Sequence, residues 1–331
     1  MCERFPTFVI LNQLSKPMTD GKPKGIYQEI NELYNEVLAY RNTGKLQDLL
    51  QFCARMQTIG AYNAMLVHMQ MPGAMLVLSR KRWEQEMCRR VTPNARPLII
   101  LIPFGPIELV FDVTHTDAIP GAPRRYSDKL EALMHPYPVI GEIDDEILEK
   151  LQGNLRYFGI YFTDDYNAGT GECAQFTCFP RRVYYDVTRW ENKFSIPFPL
   201  SYQLSVDHRK TPEERFVSIC HELGHHFCGH LTRIAPKDED PKERKRVEEF
   251  EAEIVAWVVA SRRGFKDSGA VPFLSQYADY YGQLPEIDIR NVLSAVDQIE
   301  KMFEPIDIKQ SWLYKNNDSF KQSVDSILVK P

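Results

Sequence analysis

The sequence of 331 residues lacks any apolar run long enough to cross a bilayer. Its longest apolar stretches, such as 98–102 and 254–260, fall well short of the roughly 18–20 residues that a membrane-spanning helix needs. The first residues also lack the basic segment, followed by an apolar segment, that marks a secretory signal. We therefore expect a cytoplasmic protein without a membrane partner.

Glycine and cysteine are both sparse. With 17 Gly, 11% aromatic and 44% hydrophobic residues, the composition excludes collagen-like and disordered chains. The seven cysteines are odd in number and scattered, so we interpret them as reduced thiols and not as a disulfide framework. The chain also lacks internal repeats, and its length predicts two domains or one large one.

The charge is spread unevenly around a net value of -5. Residues 1–130 carry 16 Lys and Arg against 12 Asp and Glu, whereas the remainder carries 24 against 33. This asymmetry fits two modules with different partners, one of them anionic, although so small an excess also falls within ordinary scatter.

Hydrophobic periodicity and turn residues predict an α+β fold. Helices are expected at 27–40, 46–56, 62–69 and 144–155, and mostly helical structure after Thr211. Strands are expected in a β-hairpin over 98–113 and at 156–163, 173–179 and 182–187, while the proline-broken segment 194–199 is predicted to be a loop. The Pro-rich stretch 119–123 is the best linker, which predicts domains at 1–120 and 121–331.

The segment His221-Glu222-Leu223-Gly224-His225 carries the sharpest chemical signal. Histidines four residues apart share one face of a helix, where both imidazoles can bind one zinc ion. Glu222 then lies beside the ion as a general base for a water molecule. Thr211-Pro212-Glu213-Glu214 predicts the start of that helix through a capping box. The alternative is an accidental HExxH pattern on a surface helix.

A catalytic zinc site usually has a third protein ligand, and a helix expected over 242–262 can supply it. Glu251 lies within its apolar stripe, where a buried carboxylate is costly unless it is paired or bound to metal. A buried hydrogen bond to a neighbouring helix would also explain it. Glu248 is its main competitor, and Glu249 and Glu253 lie on the flanks. The neighbouring His226 and His230 are expected at the surface or behind the ligands, and Cys220 and Cys228 in packing roles.

These residues resemble a known family. His221–His225 together with Glu249-Phe250-Glu251-Ala252 is similar to the HExxH…E-x-E-A pattern of ImmA/IrrE-type metallopeptidases. The resemblance implies a mostly helical, gluzincin-like domain with a small sheet, in which Glu251 is the third zinc ligand and Glu253 supports the ligands from behind.

The front of the chain resembles a second pattern. Tyr62-Asn63-Ala64-Met65-Leu66, Gln70-Met71-Pro72-Gly73-Ala74, Trp83 and Phe111-Asp112-Val113 are similar to the N-terminal domain of ArdC-type antirestriction proteins. The combined resemblance covers most of residues 27–305. It implies an N-terminal α/β domain with a β-hairpin that binds single-stranded DNA, joined to the metallopeptidase domain.

A basic cluster in the same part of the chain is a candidate contact for nucleic acid, and the second resemblance favours that interpretation. Cations surround one tryptophan here, and Phe52 and Tyr62 could add stacking platforms. The members of the cluster are Arg80, Lys81, Arg82, Trp83, Arg89, Arg90 and Arg96. The alternative is a solvated helix whose Trp83 packs inward.

Two main functions follow from the sequence. The first is a zinc-dependent endopeptidase acting on an unidentified, regulatory protein substrate, with an extended segment at 182–187 pairing with the substrate backbone. Its oxyanion stabiliser is left open between Tyr184, Tyr185, His208 and Tyr277. The second is a DNA-binding antirestriction protein that protects incoming single-stranded DNA and keeps a structural or vestigial metal site. A scaffold that recognises a partner protein is a third option.

Overall fold

The computed structural model describes residues 43–102, 105–134, 143, 145–166, 173–189, 192–232, 239–265 and 284–328. The helix expected at 27–40 and the candidate Tyr277 lie outside these residues. Within the described part of the chain, no helix combines the length and the apolar character that crossing a bilayer requires.

The front half of the described chain alternates short helices and strands. In order these are α1 (Thr43–Arg55), α2 (Ala61–Gln70), β1 (Val77–Ser79), α3 (Arg80–Glu86), β2 (Arg89–Val91), β3 (Leu98–Ile102), β4 (Gly105–Asp112), β5 (Thr116–Ala118) and α4 (Arg124–Met134). Strands β1, β4 and β3 form an antiparallel sheet in that order, and β2 pairs with β5. The predicted helices at 46–56 and 62–69 and the predicted hairpin are confirmed.

The back half places one sheet before a series of helices. In order these are α5 (Asp145–Asn154), β6 (Ile160–Thr163), β7 (Ala174–Arg189), β8 (Asn192–Val206), α6 (Pro212–Cys228), α7 (Pro241–Arg262), α8 (Ile289–Glu300), α9 (Trp312–Asn316) and α10 (Asp318–Leu328). Strand β8 lies between β6, which is parallel to it, and β7, which is antiparallel. The α+β class is confirmed.

The loop predicted at 194–199 was wrong, because these residues lie inside β8. Strand β6 pairs with β8 only at Tyr202–Ser205. The N-terminal part of β8, which includes both prolines, therefore has β7 as its single partner among the described strands. Pro197 and Pro199 are two residues apart and place their missing N–H groups on the same edge. One free edge is therefore enough for a strand to tolerate both prolines.

Two other strand boundaries differ from expectation for local reasons. The segments 173–179 and 182–187 form one strand, β7, with a register shift between Cys178 and Arg181. The strand expected from residue 156 begins only at Ile160, because Gly159 has a φ of +79° and ends a preceding 3₁₀ turn.

The described residues fall into two compact units. The first unit comprises those within 14–141 and 257–297, and the second unit those within 142–256 and 298–331. These units divide the chain at other positions than the predicted domain limits. The domains at 1–120 and 121–331 stay a prediction. Each unit has its own apolar cluster, around Trp83 and Phe111 in the first and around Phe198 and Phe320 in the second.

Buried polar contacts show why residues 257–297 join the first unit. The Arg262 guanidinium, only 4% exposed, donates to the carbonyl oxygens of Cys53, Met56 and Ile59 at 2.7–3.0 Å. The Asp297 carboxylate accepts the backbone N–H of Ala61 at the start of α2. Charged groups from the later segment therefore satisfy both the end of α1 and the beginning of α2.

In the second unit, helices α6 and α7 approach each other closely at Gly224. A Cβ atom at this position would lie 3.0 Å from the Cα atom of Ala252 and 3.2 Å from its carbonyl oxygen. The absence of a side chain at Gly224 therefore allows the two backbones to come together. This close approach sets the HExxH residues beside the acidic residues of α7.

Candidate metal centre

Helix α6 begins and ends at the residues that local sequence favours. Thr211 Oγ1 accepts the backbone N–H of Glu214, and the Glu214 carboxylate accepts the backbone N–H of Thr211 at 2.9 Å, so the predicted capping box is confirmed. Gly229 ends the helix with a φ of +84°. His221, Glu222 and His225 consequently lie on its last two turns.

Three potential ligand atoms converge where α6 faces α7. His221 Nε2 lies 3.1 Å from His225 Nε2, and Glu249 Oε2 lies 3.4 Å and 3.7 Å from these two nitrogens. Ligands that share a tetrahedral zinc ion at about 2.0–2.1 Å lie about 3.3 Å from one another. The observed separations and the two-nitrogen, one-oxygen set therefore fit zinc.

The charges of this cluster also suit a cation. Burial lowers the pKa of His221, but the hydrogen bonds to Glu249 and Glu253 outweigh it and raise the pKa to about 9. Hydrogen bonds from His221 and His225 hold the pKa of Glu249 well below its usual range. Burial lowers the pKa of His225. An ionised carboxylate thus faces imidazoles that can exchange a proton for a metal ion.

Glu253 lies on the other side of the first histidine. Its Oε2 is 3.3 Å from His221 Nδ1, while His221 Nε2 faces Glu249. A carboxylate that accepts the Nδ1 proton leaves Nε2 as the free electron pair for a metal. This contact is compatible with the supporting role that the sequence resemblance implied for Glu253, and that role stays a prediction.

The structure does not bring Glu251 to the HExxH histidines. Glu251 lies two residues from Glu249, about 200° around the helix, and its Oε2 lies 2.9 Å from His230 Nε2. Burial and the family resemblance both suggested Glu251 as a ligand, but in the structure its carboxylate contacts a histidine beyond the end of α6. The signal that points to Glu249 is its four-residue spacing from Glu253, which puts both on one face of α7.

The histidine that follows His225 is a packing residue, whereas a position at the surface or behind the ligands was expected. His226 is 4% exposed, and its ring stacks on Phe176 with a centroid separation of 4.9 Å. Burial lowers the pKa of His226 to about 3. Cys220 is fully buried, in agreement with the expected packing role, whereas Cys228 lies close to His230 and Glu251.

The described candidates for an oxyanion stabiliser have contacts or exposure that do not involve the three potential ligands. Tyr184 is 62% exposed. Tyr185 packs edge-on against Phe198, with a centroid distance of 5.2 Å. His208 Nδ1 lies 2.9 Å from the carbonyl oxygen of Asp164. An oxyanion role for any of them therefore stays a prediction.

The aromatic residues proposed for base stacking are mostly buried in the first unit. Trp83 has no exposed surface, and its Nε1–H donates to the carbonyl oxygen of Phe111 at 2.8 Å. Phe52 is 2% exposed and packs against His68. This matches the alternative in which Trp83 packs inward, and it removes the central platform of the proposed DNA interface.

The basic residues around Trp83 divide into two groups. Arg82 pairs with Glu86 at 3.0 Å, and the Arg89 guanidinium donates to the hydroxyl and the carbonyl oxygen of Thr116. The second group is exposed and consists of Arg80, Lys81, Arg90 and Arg96. Binding of single-stranded DNA by these cations stays a prediction.

The other motif residues of the first unit hold the backbone of neighbouring strands. The Asn63 side chain accepts the N–H of Leu101 and donates to its carbonyl oxygen, at 3.0 Å and 2.9 Å. Gln70 makes the same pair of bonds with Ile99, both at 2.8 Å. Among the described strands β3 lies at the edge of its sheet, so these two amides satisfy backbone groups that lack a strand partner there.

Asp112 holds the same sheet from its other side. Its carboxylate accepts the backbone N–H groups of Met75, Leu76 and Thr114 at 2.7–3.1 Å. Asp112 is fully buried. The polar residues shared with the ArdC-type pattern therefore have structural partners within the unit.

Comparison with known proteins supports one part of the sequence resemblance. Residues 182–268 match the family model described as Peptidase M78, IrrE N-terminal-like domain. No curated protein and no solved structure matches the chain. The matched range contains the HExxH residues and Glu249 to Glu253, whereas the ArdC-type identity stays a prediction. Residues 182–268 are therefore similar to a peptidase domain of the IrrE N-terminal-like kind.

Proposed function

We propose that this protein is a zinc-dependent peptidase whose metal ligands are His221, His225 and Glu249. The observation that carries the proposal is the convergence of two Nε2 atoms and one carboxylate oxygen within 3.1–3.7 Å. The match of residues 182–268 to a peptidase family supports the same reaction class. This ligand set replaces the one expected from sequence, with Glu249 in the place of Glu251.

A bound zinc ion supplies Lewis-acid activation of water and of the scissile carbonyl group. The residues of the chain determine where that activation takes place. Glu253 accepts the Nδ1 proton of His221 and so keeps Nε2 directed at the ligand cluster. Glu249 carries the negative charge of the ligand set, because both histidines favour its ionised form.

Glu222 is the proton-transfer residue of the proposed mechanism. It follows His221 in α6 and is half-buried, and its charge acts on the His221 imidazole. As a general base its carboxylate accepts a proton from the attacking water molecule, and as a general acid it delivers that proton to the leaving amine. The hydroxyl group of the water molecule thus ends on the carbonyl carbon and its proton on the leaving amine, and Glu222 returns to its ionised form.

Strand β7 offers a place for the substrate backbone. It pairs with β8 alone among the described strands, so its second edge has no strand partner there, and it packs against α6. An extended peptide can add to such an edge through main-chain hydrogen bonds. A protein substrate in an extended conformation is therefore the proposed partner, and its sequence is left open.

The test separates metal binding from proteolysis. Glu222→Gln should keep the zinc content of the wild type and abolish cleavage of a quenched-fluorescent peptide library, because the amide cannot accept a proton. Glu248→Gln is the matched control, since Glu248 lies on α7 and pairs with Arg244 instead of a histidine. Cleavage at the wild-type rate by Glu222→Gln would refute the assigned base.

A further inference from the structure

A second polar cluster lies directly behind His225. It consists of His230, just beyond the end of α6, and Glu251 of α7, and their side chains are only 6% and 9% exposed. We propose that His230 and Glu251 are positioning residues, forming a hydrogen-bonded relay that fixes the tautomer and the ring orientation of His225. The inference rests on the proposed function, in which His225 Nε2 is a metal ligand.

The distances define an unbroken chain of contacts. His225 Nδ1 lies 2.9 Å from His230 Nδ1, and His230 Nε2 lies 2.9 Å from Glu251 Oε2. Both separations are typical of hydrogen bonds. On the opposite edge of the His225 ring, Nε2 faces His221 and Glu249. His225 thus has one nitrogen at the ligand cluster and the other at the relay.

Only one arrangement of the ring protons is consistent with both hydrogen bonds of the relay. A neutral imidazole carries one proton, so a His225 whose Nε2 holds a free electron pair carries its proton on Nδ1. That N–H donates to His230 Nδ1, which must then be the acceptor. His230 therefore carries its proton on Nε2 and donates it to the Glu251 carboxylate. Each nitrogen of both rings then has a defined role.

Local structure explains how His230 reaches this position. The N–H of Gly229 bonds to the carbonyl oxygen of His226, and the N–H of His230 bonds to that of His225. This is the Schellman arrangement, which requires the left-handed conformation that Gly229 adopts with a φ of +84°. The turn folds His230 back onto the last turn of α6, with its ring 5.0 Å from that of His225.

The relay also accounts for the burial of Glu251. Its neighbours Phe250, Ala252 and Ile254 are buried, and a carboxylate among them is costly unless it is hydrogen-bonded. Metal-bound histidines usually donate their second N–H to a carboxylate or carbonyl group, and loss of such a partner weakens metal binding about 10- to 100-fold. Here the carboxylate acts through an intervening histidine.

Binding of a second metal ion is the alternative to a hydrogen-bonded relay at these residues. Cys228, His230 and Glu251 each have a ligand atom within 4.8 Å of the others. The 2.9 Å separation of His230 Nε2 and Glu251 Oε2 favours a shared proton, because two ligands of one tetrahedral zinc ion lie about 3.3 Å apart. The His225–His230 contact at 2.9 Å favours the relay in the same way.

The first test measures zinc affinity by competition with a chromophoric chelator. His230→Phe and Glu251→Leu should each weaken zinc binding about 10- to 100-fold, because both remove the support of His225. Glu251→Gln should restore most of the affinity, since its amide oxygen still accepts the His230 N–H. Glu248→Gln, on the same helix, should bind zinc as the wild type does. A folded Glu251→Leu variant with unchanged affinity would overturn the relay.

The second test needs no substitution. Nitrogen-15 NMR of the histidine side chains in the metal-free wild-type protein should find the His225 proton on Nδ1 and the His230 proton on Nε2. In that state His225 Nε2, 3.1 Å from His221 Nε2, accepts the His221 N–H. A His225 proton on Nε2 with Nδ1 unprotonated would overturn the proposal, even if the substituted proteins failed to fold.

A cobalt titration decides between the relay and a second metal site. The relay predicts one Co²⁺ per chain, no thiolate-to-metal charge-transfer band, and the same stoichiometry in Cys228→Ala. Two ions per chain, or a thiolate band that Cys228→Ala abolishes, would reject the relay. If the wild type binds neither Zn²⁺ nor Co²⁺, the proposed function fails, and the NMR result still decides the relay.

Discussion

The two units use similar polar residues in opposite ways. On α6 and α7 of the second unit, the polar atoms of His221, His225 and Glu249 face one another. In the first unit, the polar atoms of Asn63 and Trp83 end on backbone groups of neighbouring strands. A motif can therefore mark a site in one unit and a structural connection in the other. The groups that the polar atoms meet distinguish the two cases.

Replacing Trp83 should produce the largest loss of stability in the first unit. Trp83→Ala should lower the free energy of unfolding by about 3–5 kcal/mol, because it leaves a large cavity in a fully buried cluster. Denaturant unfolding followed by circular dichroism measures this. A loss below about 1 kcal/mol would mean that Trp83 is exposed, and would break the contrast between the units.

Trp83→Phe sharpens the same test. It keeps an aromatic ring that can stack on a base, but leaves the carbonyl oxygen of Phe111 without its donor. We expect an intermediate loss of stability, of about 1–3 kcal/mol. A stacking platform at the surface would instead tolerate phenylalanine without a measurable loss.

Adding a methyl group at Gly224 should disturb the approach of α6 to α7. Gly224→Ala places a Cβ atom 3.0 Å from the backbone of Ala252, so we expect a loss of about 1–3 kcal/mol in unfolding free energy together with weaker zinc binding. Gly153→Ala is the matched control on α5, where no heavy atom lies within 4 Å of the added Cβ. The control should stabilise the protein by about 0.5–1 kcal/mol, since alanine is the better helix former. Equal effects at both positions would contradict a close helix contact.

Removing the side-chain amide of Asn63 should cost less. Asn63→Leu leaves the N–H and carbonyl groups of Leu101 without their side-chain partner, and we expect a loss of about 1–2 kcal/mol because these groups are half-buried. Asn94→Leu, at an exposed position, is the control and should change the thermal midpoint little. An Asn63→Leu protein with wild-type stability but altered DNA binding would assign this residue to a site.

A further effect concerns acid stability. Burial lowers the pKa of His226 to about 3, while an unfolded histidine has a pKa of about 6.5, so the unfolded chain binds a proton that the folded chain does not. Stability therefore falls as pH drops below 6.5, by up to about 1.4 kcal/mol per pH unit from this group. His226→Phe should flatten the pH dependence of unfolding between pH 6 and 4.5. An identical slope in both proteins would place His226 in contact with solvent.

Local sequence was sufficient to predict helix α6, including its capping box and the shared face of His221 and His225. It was insufficient for the third ligand, because the choice between Glu249 and Glu251 depends on how α7 is rotated against α6. Glu251 satisfied the burial criterion, yet its partner, His230, reaches it only through the left-handed turn at Gly229. That contact joins residues 21 positions apart, and periodicity within either helix carries no information about it.

Strand β8 shows a related limit. Pro197 and Pro199 predicted a loop because proline interrupts central strands, but the front of β8 has a strand on one side only. The number of partners that a strand has depends on the whole sheet. Trp83 gave a similar choice between burial and exposure, which its basic neighbours could not decide.

The zinc content of three purified proteins tests the central claim most directly. Elemental analysis by inductively coupled plasma mass spectrometry should find one zinc ion per chain in the wild type. Glu249→Ala should lose the ion on dialysis, because Glu249 lies within 3.7 Å of both histidines, whereas the control Glu248→Ala should keep it, because Glu248 pairs with Arg244. Full retention of zinc by Glu249→Ala would contradict the assigned ligand set.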